Sequence, residues 1–158
     1  MNLESTSHLS SPTAELVAAL LSEGIDVRLR LSGWSMQPLV PSGSRVLFSS
    51  RALPEVGDVV LVRHPDDSLV AHRLVRIAGD FLVTKGDACV AADGPVSKER
   101  VVGCGVRLER SAGRWSLPLR SPWMRRLGLA LSYLYPRIVA RGRRWSRGLL
   151  ARQGGSSC

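Results

Sequence analysis

The sequence predicts a mainly β protein, in which a short helix precedes an antiparallel β domain and a basic amphipathic helical segment follows it. Apolar and polar residues alternate from Val27 to Leu31, which is the pattern of a half-buried strand. Short apolar runs separated by turn residues continue as far as Leu108. After Ser111, apolar residues recur at steps of three and four, the spacing that places them on one face of a helix.

The N-terminal part of the chain predicts a loose leader and one helix. Residues 1–10 are polar, with no lysine or arginine and no apolar run, so they match neither a secretory signal nor a transmembrane anchor. Ser11 and Pro12 are a favourable N-cap and first-turn residue. Apolar residues at helical spacing follow and end at Gly24, which predicts a helix of about 12 residues.

Residues 11–110 are predicted to form one β domain. Strands are expected at 27–31, 45–48, 58–63, 69–77 and 81–84, with one or two more between 96 and 108. Gly79 and Asp80 indicate a tight turn between the fourth and fifth of these strands. At 158 residues the chain is large enough to bury a core without disulfides, and its three cysteines form no paired framework.

Residues 111–158 carry the positive charge of the protein. They contain ten arginines and no acidic residue, whereas residues 1–110 are close to neutral and the whole chain has a formal charge of +9. We expect the helical pattern to be interrupted near Pro136, because proline lacks a backbone N–H. The longest uncharged run, 127–136, is about half of the roughly 20 residues that a membrane-spanning helix needs.

These features predict a basic amphipathic segment that lies on an anionic membrane surface and ends in a flexible tail. The aromatic residues that suit the interfacial zone are Trp123, Tyr133, Tyr135 and Trp145. Two alternatives stay open: a helix that packs on its own domain with an arginine-rich solvent face, and a segment that binds nucleic acid. Nucleic acid is the less favoured partner, because no recognised DNA- or RNA-binding motif accompanies the arginines.

Ser35 is the candidate nucleophile. Gly33 and Pro38 bracket it in a predicted tight loop, which exposes the hydroxyl and leaves backbone N–H groups free. A serine hydroxyl is a poor nucleophile at neutral pH, so it needs a base within hydrogen-bond reach, and the base needs a third group to orient it. His72 is the candidate base, because its unperturbed pKa of about 6.5 suits proton transfer, and Asp93 is a candidate for the third group.

Three short segments carry a resemblance to a known superfamily. They are Ser35-Met36-Gln37-Pro38, Ala71-His72-Arg73, and Thr84-Lys85-Gly86-Asp87 with Asp93 further on. In this combination the chain resembles the serine peptidases that include signal peptidase I and the self-cleaving LexA-type repressors. The branch that it resembles most is the signal peptidase of the endoplasmic reticulum and archaea, which has histidine where other members carry a lysine base.

The resemblance implies a fold and a set of functional residues. The fold is the coiled, barrel-like antiparallel β architecture of the LexA and signal peptidase domains. Ser35, His72 and Asp93 fall on the nucleophile, the base and the triad aspartate. Asp87 is a further catalytic candidate, which either orients His72 or organises the loop around it. The residues expected to form the oxyanion and substrate loop are Gly33, Trp34, Met36 and Pro38.

The predicted function is a serine endopeptidase of the signal peptidase type that cleaves a precursor or leader peptide by a Ser/His/Asp mechanism. The alternative is a LexA-like regulatory or peptide-binding module whose basic tail contacts nucleic acid or a partner. His8 and His64 lie in expected loops without metal-ligand spacing to a cysteine, so no metal or other cofactor is expected. With no N-terminal signal and no clear transmembrane helix, we expect a cytoplasmic or peripheral membrane protein.

Overall fold

The computed structural model describes the backbone of residues 11–110 and 115–153, together with the side chains of residues 12–109 and 116–140. The predicted loose leader and the flexible tail lie outside the described residues. The first element is helix α1, Ser11–Ser22, which confirms the predicted N-terminal helix. Ala14, Val17 and Leu21 form its buried face, and Gly24, with a φ of 76°, begins the turn to the sheet.

Eight strands form one antiparallel sheet, which confirms the predicted fold class. They are β1 (Val27–Arg30), β2 (Arg45–Ser49), β3 (Val59–Arg63), β4 (Leu69–Ala78), β5 (Phe81–Lys85), β6 (Pro95–Ser97), β7 (Val101–Arg110) and β8 (Trp115–Pro118). The strand order is β1-β2-β7-β3-β4-β5-β6, and β8 also pairs with β7. A single 3₁₀ turn, Lys98–Arg100, separates β6 from β7.

Strand β7 pairs with three other strands and so links the parts of the sheet. One of its edges pairs with β2, while the other pairs first with β3 and then with β8. Register shifts interrupt the ladders at Leu47/Phe48, Leu61/Val62 and Leu74/Arg76. Such irregularities bend a strand and increase its twist, so the sheet wraps around a core.

The core lies between the coiled sheet, helix α1 and the first turns of a C-terminal helix. Successive side chains of a strand point to opposite faces of the sheet, and β3 is buried on both faces: Val59 and Leu61 lie in the larger apolar cluster, Val60 and Val62 in a second one. The largest cluster contains residues from all of these elements: Ala14, Val17, Leu21, Leu29, Leu31, Met36, Val40, Val46, Phe48, Val59, Leu61, Leu69, Ala71, Leu108, Leu119 and Met124.

The C-terminal helix, α2, spans Pro122–Gln153 and packs on the domain along one narrow face. Its buried residues fall at steps of four: Met124, Gly128, Ser132 and Pro136. Gly128 lies over the guanidinium of Arg73, where an added side chain would collide. In the described part of the chain, no helix combines the length and the apolar character needed to cross a membrane.

Helix α2 runs through Pro136, where the sequence predicts an interruption. Proline has no N–H to donate to the carbonyl four residues earlier, which here belongs to Ser132. The ammonium of Lys85, at the end of β5, donates a hydrogen bond to that carbonyl. A tertiary contact therefore satisfies the carbonyl that the proline leaves free, and the helix continues.

Candidate active site

Ser35 lies in the turn between β1 and β2 and is 8 % exposed. Its Oγ is buried, so the prediction that the loop exposes the hydroxyl is wrong. The turn is closed by backbone hydrogen bonds from Gln37 to Trp34, at 3.1 Å, and from Val40 to Met36, at 3.0 Å. Met36 and Val40 are buried in the core cluster. The loop that carries Ser35 is thus closed by backbone hydrogen bonds and anchored in the core on the side of Met36 and Val40.

The other predicted residues of this loop have different environments. Gly33 has a φ of 106°, a conformation that favours glycine, and its N–H donates to the Ser42 Oγ at 3.2 Å. Trp34, by contrast, is 62 % exposed. Pro38 follows Gln37 through a cis peptide bond. The structure therefore places Gly33, Met36 and Pro38 in the framework of the turn and leaves the Trp34 side chain on the surface beside Ser35.

His72 lies in the middle of β4 and is almost fully buried. Its Nδ1 is 2.6 Å from the Asp93 Oδ2, and the Thr84 hydroxyl donates to the same oxygen at 2.6 Å. The backbone N–H of Asp93 donates to the Thr84 carbonyl at 2.8 Å. Because an ionised carboxylate only accepts hydrogen bonds, this network assigns the ring proton to Nδ1. The lone pair of Nε2 is then available as a base.

The Asp93 carboxyl is stabilised in its ionised form. Burial opposes ionisation, but hydrogen bonds from His72 and Thr84 and the charge of His72 outweigh it and hold the pKa of Asp93 below its ordinary value of 3.8. A group with a lowered folded pKa stabilises the fold above its ordinary pKa and loses that contribution as the pH falls through the folded value. At neutral pH the carboxylate is therefore available to orient His72.

We expect Asp93→Asn to lower the cleavage rate on the order of 10⁴-fold, because an amide donates its own N–H to the ring and favours the wrong tautomer. The difference in free energy of unfolding between wild type and this variant should be largest at neutral pH and shrink below pH 3.8. Urea titrations at several pH values would measure it. Asp66→Asn, in the turn between β3 and β4, serves as the control with an unchanged rate. A stability difference that stays constant down to pH 3 would contradict this assignment.

The Ser35 Oγ and the His72 Nε2 are both buried, and neither has a hydrogen-bond partner within the described residues. Buried polar atoms without partners are rare in folded proteins and call for an explanation. The structure does not join these two atoms by a direct hydrogen bond. In serine peptidases such bonds often tighten only when substrate is bound.

The segment after β5 brings Ser35 and Asp93 into the same region. The Ala88 N–H donates to the Ser35 carbonyl at 2.7 Å. A Cβ at Gly86 would lie 3.1 Å from the Ser35 Cβ and 2.7 Å from the Cys89 Sγ. Only glycine allows this close approach, so the loop packs directly against Ser35 before it continues to Asp93.

Asp87 pairs with Arg73 rather than with His72. The Arg73 Nε and Nη2 donate to the two carboxylate oxygens at 2.7 and 2.6 Å, and Nη1 donates to the Gly57 carbonyl at 2.7 Å. Both side chains are fully buried. Burial raises the pKa of Asp87, and the Arg73 guanidinium opposes that rise. The ion pair fixes the loop next to the strand residue that follows His72.

Three residues that shape this site stand in the quoted motifs, but the sequence indicated no role for them. Thr84 holds Asp93, Gly86 makes room for Ser35, and Lys85 contacts helix α2. All three lie in or beside the segment that carried the resemblance. A polar residue on the inward face of β5, at Thr84, was the one sequence signal that pointed to a buried hydrogen bond.

A cavity of about 470 Å³ lies elsewhere, between the β4–β5 end of the sheet and β7. It is lined by residues that include Leu53, Ile77 and Cys104, but not by Ser35, His72 or Asp93. Burial raises the pKa of Cys104 to about 11, so its thiol is protonated and a poor nucleophile. In the described ranges, no cluster of three His, Cys, Asp or Glu side chains is placed to hold a metal ion.

A comparison with protein families gives one match. A family model described as Peptidase S24-like matches residues 4–85, a little over half of the chain. The matched part contains Ser35 and His72 and ends just before Asp87 and Asp93. No curated protein and no solved structure matches the chain.

Proposed function

Because the chain belongs to the Peptidase S24-like family, a family of serine peptidases with the LexA-like fold, we propose that it is a serine endopeptidase with Ser35 as nucleophile, His72 as general base and Asp93 as the orienting group. The observation that carries the proposal is the His72–Asp93 hydrogen bond of 2.6 Å. Among the described residues, the opposite ring nitrogen has no hydrogen-bond partner, and the buried Ser35 hydroxyl has none either.

In this mechanism, the His72 Nε2 takes the proton of the Ser35 hydroxyl as Oγ attacks the carbonyl carbon of the scissile peptide bond. The resulting oxyanion needs hydrogen-bond donors, and the backbone N–H of Ser35 is our first candidate. His72 then protonates the leaving amine, which departs and leaves an acyl-enzyme. A water molecule, deprotonated by His72, hydrolyses the ester and restores Ser35.

We assign the enzyme to the branch that uses histidine, not lysine, as its base. The chain has two lysines, Lys85 and Lys98. The Lys85 ammonium donates to the carbonyls of Ser132 and Gly86, while the Lys98 ammonium lies on the surface, 3.7 Å from Asp80. Both ammonium groups therefore have other partners, whereas the hydrogen bond between His72 Nδ1 and Asp93 leaves Nε2 available as a base.

The substrate that we propose is an extended segment of a precursor or leader peptide. Two large apolar side chains on the loops that hold the triad are exposed: Trp34, next to Ser35, is 62 % exposed, and Val90, in the loop before Asp93, is 80 % exposed. Such side chains beside a nucleophile suit an apolar part of a peptide. They give the site apolar surface without enclosing it in a deep pocket.

A peptide library tests the proposed activity. Wild-type protein should cleave a defined subset of sequences, and Ser35→Ala should cleave none of them. Mass spectrometry of the products would also give the sequence preference. Equal cleavage by both proteins would exclude Ser35 as the nucleophile, whereas peptide binding without cleavage by the wild type would favour the peptide-binding alternative.

We also propose that the outer face of α2 binds an anionic membrane surface. Opposite the packed face, a stripe of large apolar side chains is exposed at helical spacing: Trp123, Leu127, Leu134 and Ile138. Arg126 and Arg137 are exposed on the same helix, and residues 111–158 contain no acidic residue. An exposed apolar stripe flanked by arginines is complementary to an interface with anionic headgroups.

Vesicle sedimentation tests this second proposal. We expect the protein to sediment with vesicles containing anionic lipid, and binding should weaken as salt screens the arginines. Leu134→Ser combined with Ile138→Ser should weaken binding about tenfold or more, because each change removes apolar surface that would be buried in the membrane interface. Leu16→Ser, which changes an exposed leucine on α1, should have no effect. No vesicle binding at low salt, or salt-dependent binding to nucleic acid alone, would contradict the proposal.

A further inference from the structure

We infer that Lys85 is a positioning residue of the peptidase site, whose ammonium fastens the loop behind Ser35 to the Ser132 carbonyl that Pro136 leaves free in helix α2. This inference rests on the proposed function. It assigns to α2 a role in catalysis that is separate from its outer, exposed face.

The free carbonyl is a consequence of the proline. Within an α-helix, each carbonyl accepts a hydrogen bond from the N–H four residues later. Pro136 has no N–H, so the Ser132 carbonyl has no helical donor. Ser132 is fully buried, and a buried carbonyl without a partner is costly. The Lys85 ammonium supplies the missing donor.

Lys85 is unusual because a charged group is buried there without a carboxylate in hydrogen-bond contact among the described residues. It is 2 % exposed and donates to the Gly86 carbonyl at 3.2 Å as well as to Ser132. The Tyr133 ring centre lies 5.6 Å from its Nζ. An ammonium out of water needs such partners, so its position is defined by helix α2.

The same lysine is joined directly to the catalytic loop. It ends β5, where it pairs in register with Arg73 of β4, the residue after His72. The next residue, Gly86, abuts Ser35, and the Arg73–Asp87 ion pair follows. A shift of Lys85 would therefore move the loop packed against Ser35 and the pair beside His72 together.

The expected effect is on the chemical step. Lys85→Met keeps most of the length of the side chain but removes the ammonium. We expect it to lower the maximal rate of Ser35 acylation by a serine-directed fluorophosphonate by about 10²-fold, the effect of a misplacement of about 1 Å. The half-saturating concentration of the probe should change little, because Lys85 does not line the exposed surface beside Trp34.

Pro136→Ala tests the same link from the helix side. It restores an N–H that competes for the Ser132 carbonyl, while it leaves Lys85 in place and favours helix formation. We expect a smaller loss of rate, and the losses of the two single variants should not add in the double variant, because both break one contact. If Lys85→Met does not fold, the acylation rate of Pro136→Ala alone tests the inference: a lower rate supports it, and the wild-type rate contradicts it.

Arg125→Met is the matched control. Arg125 also fastens α2 to the domain, but its hydrogen bonds, of 2.6 Å to Asp58 and 2.7 Å to Glu55, go to the segment before β3 and not to the segment from Lys85 to Asp93. This variant should lower the melting temperature and keep the acylation rate. Three results would overturn the inference: acylation of Lys85→Met at the wild-type rate, additive losses of acylation rate in the double variant, or an equal loss of acylation rate in Arg125→Met. Absence of Ser35 labelling in wild type would instead refute the proposed function.

Discussion

Ser35→Ala, His72→Ala and the double variant should each lower the rate of peptide cleavage on the order of 10⁶-fold, because nucleophile and base act as one unit and removing either removes the pathway. The measurement is single-turnover cleavage of a substrate from the peptide library. Circular dichroism should show an unchanged fold, since Ser35 lies in a turn and the His72 ring has one hydrogen bond to lose.

The comparison among the three variants shows whether Ser35 and His72 act jointly or independently. If Ser35 and His72 acted independently, their losses would multiply in the double variant. Residual activity within tenfold of wild type in His72→Ala would show that another group is the base. Arg76→Ala, a change of an exposed residue further along β4, controls for an effect on the strand alone and should keep the wild-type rate.

Arg73→Met should cost about 3–5 kcal/mol of stability, because it leaves the Asp87 carboxylate buried without its partner. This is a large part of the total stability of a domain, which is about 5–15 kcal/mol. Urea unfolding followed by tryptophan fluorescence would measure the loss. Replacing both partners, as Arg73→Met with Asp87→Leu, should destabilise less than Arg73→Met alone, because no charge is then left buried.

Arg28→Met is the control for this prediction. Arg28 is also an arginine in a strand, but its side chain is 57 % exposed and pairs with Glu109 at 3.0 Å. Exposed pairs contribute about 0–1 kcal/mol, so its loss should be small. Equal destabilisation by Arg28→Met and Arg73→Met would show that the buried pair contributes no more to the free energy of unfolding than the exposed pair.

Most of the β domain could be predicted from local pattern. The alternation in β1 and the turns around β4 and β5 are encoded within a few residues, and the predicted ranges agree with Val27–Arg30, Leu69–Ala78 and Phe81–Lys85. Strand β8 was not predicted, because the four residues Trp115–Pro118 are too few to show a period and fall in the segment expected to be helical; they form a strand by pairing with β7. Helix α2 continues through Pro136, and the donor to the carbonyl that the proline leaves free is Lys85, which is distant in sequence.

The functional site likewise combines residues that the sequence identifies with contacts that only the fold determines. Motif spacing identified Ser35, His72 and Asp93 as candidates, but it left open which aspartate orients the histidine. Hydrogen bonding places Asp93 beside His72 and Asp87 beside Arg73; the catalytic roles of both aspartates stay predictions. Arg73 gave no sign of burial in the sequence, because a charged residue in a strand is usually exposed. Its burial depends on Gly128, which leaves room for the guanidinium under α2.

The central claim is that His72 activates Ser35 as a nucleophile. The most direct measurement is the kinetics of acylation by a fluorophosphonate, with intact mass and peptide mapping to locate the adduct. One adduct should form, on Ser35; it should be absent in Ser35→Ala and form far more slowly in His72→Ala. A folded wild-type protein that takes up no probe, or an adduct on another residue such as Ser132, would contradict the account.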